Sequence, residues 1–289
     1  MSTAKWVAEI SSNHHQDLAR CLAFVDTAAA IGCDAVKMQL FRVAELFAPE
    51  ILACSAMHRA RAAWELPTAF LPDIAARCHE RHVQFTCAPF YLKAVDELYP
   101  HVDGYKIASY ELLWNELLRA CGQTGKPVVL STGMATMPEI GEAVRVLLTA
   151  GCRDLTLLHC SSSYPAPVAE CNLRAIDTIH RRWLLPVGWS DHSAQPSVLY
   201  RAVHRWKASM IEFHLDLDGS GEEYQAGHCW LPEQIGSVIA TIRDGESADG
   251  DGAKVPQASE LPDRDWRADP VDGLRPFQHI RSTWRPADG

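Results

Sequence analysis

The chain has 289 residues, 47% of them hydrophobic and 22% charged, with a net charge of -9 at pH 7 and a pI near 5.8. That balance supports a substantial core and excludes a surface built for nucleic acid or anionic lipid, while a small cationic pocket remains compatible with it. The length suits one large α/β barrel as well as two ordinary domains.

The first residues, Met1-Ser2-Thr3-Ala4-Lys5-Trp6, pass directly into a strand-like run. No basic segment precedes a long apolar one, so a secretory signal is not expected. No apolar run approaches the ~20 residues that span a bilayer. A cytoplasmic protein is expected, with no membrane or nucleic-acid partner. The ten cysteines form no C-x-x-C pair and read as buried free thiols. Cys87 and Cys160, at strand ends, are the two placed for catalysis.

Eight strand signals follow one another: 6–11, 34–40, 83–87, 104–109, 127–132, 155–161, 186–190 and 209–214. Segments of helical period separate them. The clearest are 17–31, 69–81 and 138–150, the last with Thr136 as N-cap, Pro138 in its first turn and Gly151 after its end. Weaker ones cover 92–98, 112–121, 173–182, 197–206 and 232–242. This alternation predicts a single (β/α)8 TIM barrel over residues 1–244. No G-x-G-x-x-G follows a strand, which argues against a dinucleotide fold. The connection from Leu40 to Val83 is long and mixed in character over 42–65, as a loop covering the mouth would be. From Gly245 onward the composition turns to Asp, Gly, Pro and Ala, and residues 245–289 read as an irregular linker and tail with no second folded domain.

Active sites of such barrels lie at the C-terminal ends of the strands. Collecting the polar strand ends gives Glu9, Lys37, Gln39, Lys106, Ser109, Glu111, Ser131, Thr132, Tyr164, Ser190, Asp191, His192, Glu212 and His214. The organising stretch is Gly188-Trp189-Ser190-Asp191-His192-Ser193. Ser190, Asp191 and His192 resemble a triad fragment, but neighbours on a strand point different ways. Lys37, within an apolar strand, is costly unless paired or used. Lys37, Gln39, Lys106, Ser109 and Ser190 supply donors and two cations, as a small phosphorylated carboxylate would need. His192 and His214, from adjacent strand ends, can share a metal. Glu212 shares a face with His214 as a ligand or a support, and Asp191 braces its loop. His159, His204, His228 and the His14-His15 pair read as structural histidines, His14 being the one to watch beside Glu9.

The blocks AEISSNHHQD (8–17), DAVKMQL (34–40), YKIASYEL (105–112), KPVVLSTGMATMPEI (126–140), LLHCSSSYPAP (157–167), VGWSDHS (187–193) and IEFHLDLD (211–218) resemble the sialic acid synthase family along essentially the whole barrel. The resemblance implies condensation of phosphoenolpyruvate with an N-acetylmannosamine-like aldose, releasing phosphate and forming a nonulosonic acid. It implies that Lys37, Lys106, Gln39, Ser109 and Ser190 hold phosphoenolpyruvate. Glu111, Ser162, Tyr164 and Gln225 fall at substrate-binding positions, and Glu9 stands beside the reacting carbons. His192 and His214 would hold Mn2+ or Mg2+, and a homodimer is the implied assembly.

Three departures stand out. Cys87-Ala88-Pro89-Phe90 lacks a hydroxyl that the family uses for phosphate. Cys160-Ser161-Ser162-Ser163-Tyr164-Pro165 replaces C-T-N-x-Y-P. The E-G-P-D block is lost, leaving Gln225 where an aspartate contacts sugar hydroxyls. The chain also leaves no room for the C-terminal antifreeze-like domain of most members, whose arginine Arg275 or Arg281 would have to replace. Two alternatives stand beside this reading: an ulosonic acid phosphate synthase using a phosphorylated sugar, and a degenerate barrel without catalysis.

Overall fold

The computed structural model describes residues 4–285. Residues 1–3, which open the N-terminal reading above, and 286–289 lie outside the described residues. Eight parallel strands, β1 (Lys5–Glu9), β2 (Ala35–Leu40), β3 (Gln84–Pro89), β4 (Gly104–Ile107), β5 (Val128–Ser131), β6 (Leu155–Cys160), β7 (Val187–Asp191) and β8 (Met210–Leu215), pair in sequence order. β1 also pairs with β8, with Lys5 beside Met210 and Glu9 beside His214, which closes the sheet into a barrel. The expected fold is the observed one.

Helices alternate with the strands: α1 (Leu18–Ala30), α2 (Leu71–Glu80), α3 (Leu92–Leu98), α4 (Asn115–Gln123), α5 (Met137–Ala150), α6 (Ala175–Trp183), α7 (Pro196–Tyr200) and α8 (Pro232–Ala248). The sequence explains where they start and stop. Asp17 caps α1 by accepting the Ala19 N–H at 2.8 Å, and Cys21, Phe24, Val25 and Ala28 make the stripe it buries. At α5 the Glu139 carboxylate reaches back to the Thr136 N–H at 2.7 Å, and Gly151 ends the helix at φ 106°, a left-handed turn that costs glycine nothing.

Strands buried on both faces, such as the all-buried β4 and β7, read as apolar runs because helices cover the outside and side chains fill the inside. Gly188 has a separate cause. A Cβ there would lie 2.2 Å from the Met210 carbonyl oxygen, so only glycine lets β7 approach β8 at this point.

Three features differ from expectation. The β2–α2 connection is a series of short helical turns (Val43–Leu46, Pro49–Cys54, Ala56–Ala60, Arg61–Trp64), too brief for periodicity to reveal. A ninth strand, β9 (Cys229–Trp230), adds beside β8 with His214 opposite Cys229. Helix α8 runs past Gly245 to Ala248.

The chain divides into two compact units, residues 1–245 and 246–289. The second holds a 3-10 segment (Ala258–Trp266) and a short helix (Gln278–Arg281). Inside it the Trp266 and Trp284 rings meet edge-on at 5.7 Å, and the Arg281 guanidinium pairs with Asp272 while donating to the Leu274 and Pro276 carbonyls. Among the described residues no helix is long and apolar enough to cross a membrane.

Candidate active site

The floor of the mouth is a layer of paired charges delivered by strand register. Glu9, the last residue of β1, stands opposite Lys37 on β2 and His214 on β8, while Ser190 on β7 stands opposite Glu212. Period-2 alternation puts Lys37 and Gln39 on one face, and likewise Glu212 and His214. The Lys37 ammonium lies 2.7 Å from Glu9 Oε2 and 3.5 Å from Glu212 Oε1, and the Lys106 ammonium 3.4 Å from Glu212 Oε1. Gln39 Nε2 donates to Glu9 Oε1 at 2.6 Å, and the Ser190 hydroxyl donates to Glu212 Oε1 at 3.1 Å.

All four charged groups are buried, two of each sign. Burial alone would lower both lysines. For Lys37 the Glu212 and Glu9 carboxylates outweigh it and hold the ammonium above its ordinary value, whereas Lys106, with Glu212 only partly compensating, sits below. Burial would raise Glu212, but Lys106 and Lys37 pull it to about 2, so it is ionised. The two buried ammonium groups, each held on a carboxylate, are the cationic part of this layer.

Aromatic nitrogen donors line the other side. The His192 and His214 ring centroids are 5.4 Å apart. His192 Nδ1 lies 2.7 Å from the Ser161 carbonyl oxygen, which can only accept, so Nδ1 carries the proton and Nε2 keeps its lone pair. Burial, with His214 beside it, lowers His192 to about 3 and keeps the ring neutral. His214 Nδ1 donates to Glu223 Oε2 at 2.7 Å; burial would lower His214, but the Glu223 carboxylate holds it well above its ordinary value. The Tyr164 ring lies over this side, 4.2 Å from His192 and 5.1 Å from His228.

Between the two sides lie the small hydroxyls. Ser109 Oγ accepts the Gly133 N–H at 3.0 Å and sits 3.2 Å from Cys160 Sγ. Ser162 Oγ is buried with no partner, as is Ser131 Oγ. A Cβ on Gly133 would come within 2.8 Å of Ser109 Oγ and closer still to Ser162 Oγ, so glycine is needed for these side chains to gather. Glu111 turns toward the same space: one carboxylate oxygen is buried and unpaired, and burial raises the group to about 7.

Strand ends therefore bring together Glu9, Lys37, Gln39, Lys106, Ser190, Glu212, His192 and His214. Thr132 instead donates to the Leu158 carbonyl, and Gln225 is not delivered at all. Gln225 is exposed, and its Nε2 donates to Gly219 O at 2.8 Å in its own loop. On the same post-β8 segment Glu223 turns to the mouth, where it accepts from Ser11, Ser12 and His214. His228, read as structural, lies at the mouth with its ring centroid 5.2 Å from His214. His159 Nε2 donates to the Cys171 carbonyl at 3.0 Å, and His14 accepts the Gln16 N–H.

Asp191 braces its loop. It takes the Trp189 and Trp230 indole N–H groups at 3.0 and 3.1 Å and the backbone N–H of Ser193 and Ala194. Cys87 is fully buried and burial pushes its thiol up, so it is a packing residue. All ten cysteines are free.

Residues 24–254 match the NeuB family model. An N,N'-diacetyllegionaminic acid synthase of Campylobacter jejuni is 32% identical over 269 residues, 88% of this chain and 80% of its own. The chain belongs to the NeuB family. An uncharacterised protein of Methanocaldococcus jannaschii is 36% identical over 256 residues, 88% of this chain and 74% of its own. A solved N-acetylneuraminic acid synthetase of Leptospira borgpetersenii superposes with TM-score 0.79 at 28% identity, covering 90% of each chain. This NeuB chain is an enzyme, a transferase of the nonulosonic and sialic acid synthase kind.

NeuB enzymes depend on a metal in general, and the donors present here fit a divalent ion. The free Nε2 of His192 and the ring of His214 face each other, and imidazole lone pairs suit such ions. His214, Glu223, His228 and Cys229 each offer a ligand atom, all within 4.8 Å of one another.

Proposed function

We propose that this NeuB enzyme condenses phosphoenolpyruvate with an N-acetylmannosamine-like or related aldose, giving a nonulosonic acid and inorganic phosphate in the cytoplasm, as a homodimer. The carrying observation is the buried pair Lys37 and Lys106, held on Glu9 and Glu212 beside two imidazoles. A scaffold has no need of such a costly layer, which speaks against a barrel without catalysis.

In this reading the phosphate and carboxylate of phosphoenolpyruvate replace part of the carboxylate screen around the two ammonium groups. Gln39, Ser109, Ser162 and Ser190 supply hydrogen bonds that fix its orientation. The loss of a hydroxyl at Ala88 is tolerable because Ser131 and Ser162 bring unpaired hydroxyls to the same end of the barrel. Glu111 and Tyr164 contact the sugar. The enol carbon bonds to the aldehyde carbon, water adds to the resulting oxocarbenium carbon, and the C–O bond to phosphate then breaks to leave the keto acid. Glu9, with one oxygen on Lys37 and the other on Gln39, orients that water and takes its proton. A divalent ion at His192 and His214, Mn2+ or Mg2+ by resemblance, supplies charge stabilisation for the aldehyde oxygen as it becomes an alkoxide.

The test is phosphate release from phosphoenolpyruvate with a panel of free and phosphorylated aldoses, with and without Mn2+. Release with a free aldose supports the reading, release only with a phosphorylated one moves it to the ulosonic acid phosphate synthases, and no release with any sugar removes it. His214→Ala should abolish metal-dependent turnover while circular dichroism shows an intact fold; surviving turnover would exclude His214 as a ligand.

A further inference from the structure

The interior of the barrel is open from below. Along β3, β5 and β6 the residues that face the helices, Phe85, Val128 and Leu155, are buried, while their neighbours that face the barrel axis, Thr86, Val129 and Thr156, are only half-buried. Met210, the first residue of β8, is half-buried in the same way. A barrel core is ordinarily packed with layers of large branched side chains. Here the layer beneath the lysines is built from Ala35, Thr86, Gly104, Val129 and Thr156, and it leaves a cavity of about 80 Å3. Lys5, Gln84 and Asp154, all exposed, stand at its lower edge, and Lys37, Lys106 and Glu212 form its roof. Period 2 explains the stacking, since Ala35 and Lys37 share one face of β2, Gly104 and Lys106 one face of β4, and Met210 and Glu212 one face of β8.

What fills the cavity follows from its walls. Apolar cavities stay empty, whereas polar ones hold water that completes unpaired groups. One water needs about 10–15 Å3, so this space holds several. Lys106 is the group that needs them. It is 3% exposed and its ammonium carries three donors, yet the acceptors it reaches, Glu212 Oε1 and the Ile107 carbonyl, both lie at 3.4 Å, beyond the ~2.7–3.2 Å of a well-made bond. Lower in the cavity the Thr86 hydroxyl donates to the Val36 carbonyl at 3.2 Å and keeps its lone pairs for water. Glu9, 0% exposed, lies outside the cavity, so its pair with Lys37 stays dry.

We propose that a column of ordered water enters the barrel from its underside and reaches the Lys106 ammonium, giving the lysine layer a second route for water and proton exchange while substrate fills the mouth. The column itself stands on the geometry, and its use in turnover rests on the condensation proposed above. Roofed by Lys37, Lys106 and Glu212, the cavity offers passage to water and protons, not to substrate. In each exchange a proton passes from the ammonium to the first water while the chain of waters returns one from bulk, leaving Lys106 charged as before. The charged and titratable groups that face Lys106 are Glu212 on β8, Lys37 on β2, Glu9 on β1, Cys160 on β6 and Glu111 after β4. Water beneath the ammonium favours its charged form against the cost of burial.

The column is tested without any reaction. A high-resolution crystal structure of the full chain should show waters within hydrogen-bond reach of one another from the edge at Gln84 and Asp154 up to Lys106 Nζ, and xenon under pressure should not replace them. An empty cavity, or one that takes up xenon, overturns the proposal. Thr156→Leu fills the space with an apolar side chain, and it should remove the upper waters while circular dichroism shows an intact fold. With Lys106 dehydrated its charged form is lost at lower pH, so the high-pH limb of phosphate release should move down by about one pH unit while the low-pH limb stays in place. Thr156→Val, which removes the hydroxyl and keeps the volume, should move it less. A profile unmoved after the waters are gone overturns the exchange role. If Thr156→Leu does not fold, Val129→Ile fills the cavity from the neighbouring wall and is read in the same way. If the parent releases no phosphate with any sugar, the condensation falls, and the density beside Lys106 still decides the column.

Discussion

The two sides of the barrel mouth are built in opposite ways. On the lysine side every group sits inside a strand: Glu9, Lys37, Lys106, Ser190 and Glu212 are fixed by ladder register and each charge has an opposite charge within 3.5 Å. On the imidazole side only His214 lies in a barrel strand. His192 follows the end of β7, and Glu223, His228 and Cys229 arrive on the segment after β8. One side is pre-organised by the fold itself, and the other by a loop that must be held in place. Loss of a group should therefore act differently on the two: through buried charge on the first, through loop order on the second.

The largest effect is expected from Lys37→Met. It leaves the buried Glu9 carboxylate without its cation and Glu212 with Lys106 alone. Breaking a buried pair from one end costs about 3–5 kcal/mol, and urea titration should show that loss together with no phosphate release. A variant as stable as the parent would mean that the charges are solvated, and the contrast between the two sides would collapse.

Asp191→Asn should come next, and it acts on the imidazole side from outside it. The carboxylate accepts from two indoles on different oxygens. An amide offers only one accepting oxygen, so either Trp189 or Trp230 faces a donor, a loss of about 1–3 kcal/mol. Because Trp230 belongs to β9, hydrogen exchange should rise in residues 226–231 and stay unchanged in β2. Equal exchange in both would show that the post-β8 segment is as rigid as the strands.

What could be read from the sequence divides along the same line. Lys37 declared itself because a charge within an apolar strand is costly to bury unless it is paired or used, Lys106 as a polar group near a strand end, and Glu212 and His214 because period 2 put them on one face. Glu223, His228 and Cys229 carry no such signal. They lie in a segment without periodicity, closed by a strand of two residues, and their convergence depends on long-range ties such as Ser11 to Glu223 and Trp230 to Asp191. Gln225, a substrate-binding position by resemblance, stands exposed because α-helical geometry over Glu222–Gln225 turns it outward, while Glu223 two residues earlier is held by Ser11, Ser12 and His214. Helix α5, read as 138–150 and observed over Met137–Ala150, was legible to within one residue, since its start and stop depend on Thr136, Pro138, Glu139 and Gly151, all local.

Glu111, between the two sides, gives a smaller effect that depends on pH. Burial raises its carboxyl from 4.5 to about 7. Below about pH 4.5 both folded and unfolded chains hold the proton; between that and about pH 7 the folded chain keeps a proton that the unfolded chain releases. Stability attributable to this group is therefore fully present at low pH and lost as pH rises through that window. Glu111→Gln should be more stable relative to the parent at pH 7.5 than at pH 4.5. A parallel pH profile for the two proteins would place Glu111 in water.

The smallest effect is expected at Gln225, and it is the sharpest check on which residue the post-β8 segment presents. Gln225 is exposed and its amide is spent on Gly219 of its own loop, whereas Glu223 is held at the mouth by Ser11, Ser12 and His214. Gln225→Ala removes one exposed hydrogen bond, so melting and the KM for the sugar should stay within about twofold of the parent, the change expected for a surface position with a net hydrogen-bond contribution near 0.5 kcal/mol. Glu223→Gln should instead alter metal affinity and turnover together. A tenfold rise in the sugar KM for Gln225→Ala, with kcat unchanged, would reverse the assignment: the segment would have to swing residue 225 inward when sugar binds. The imidazole side would then be a moving element set against a fixed lysine floor.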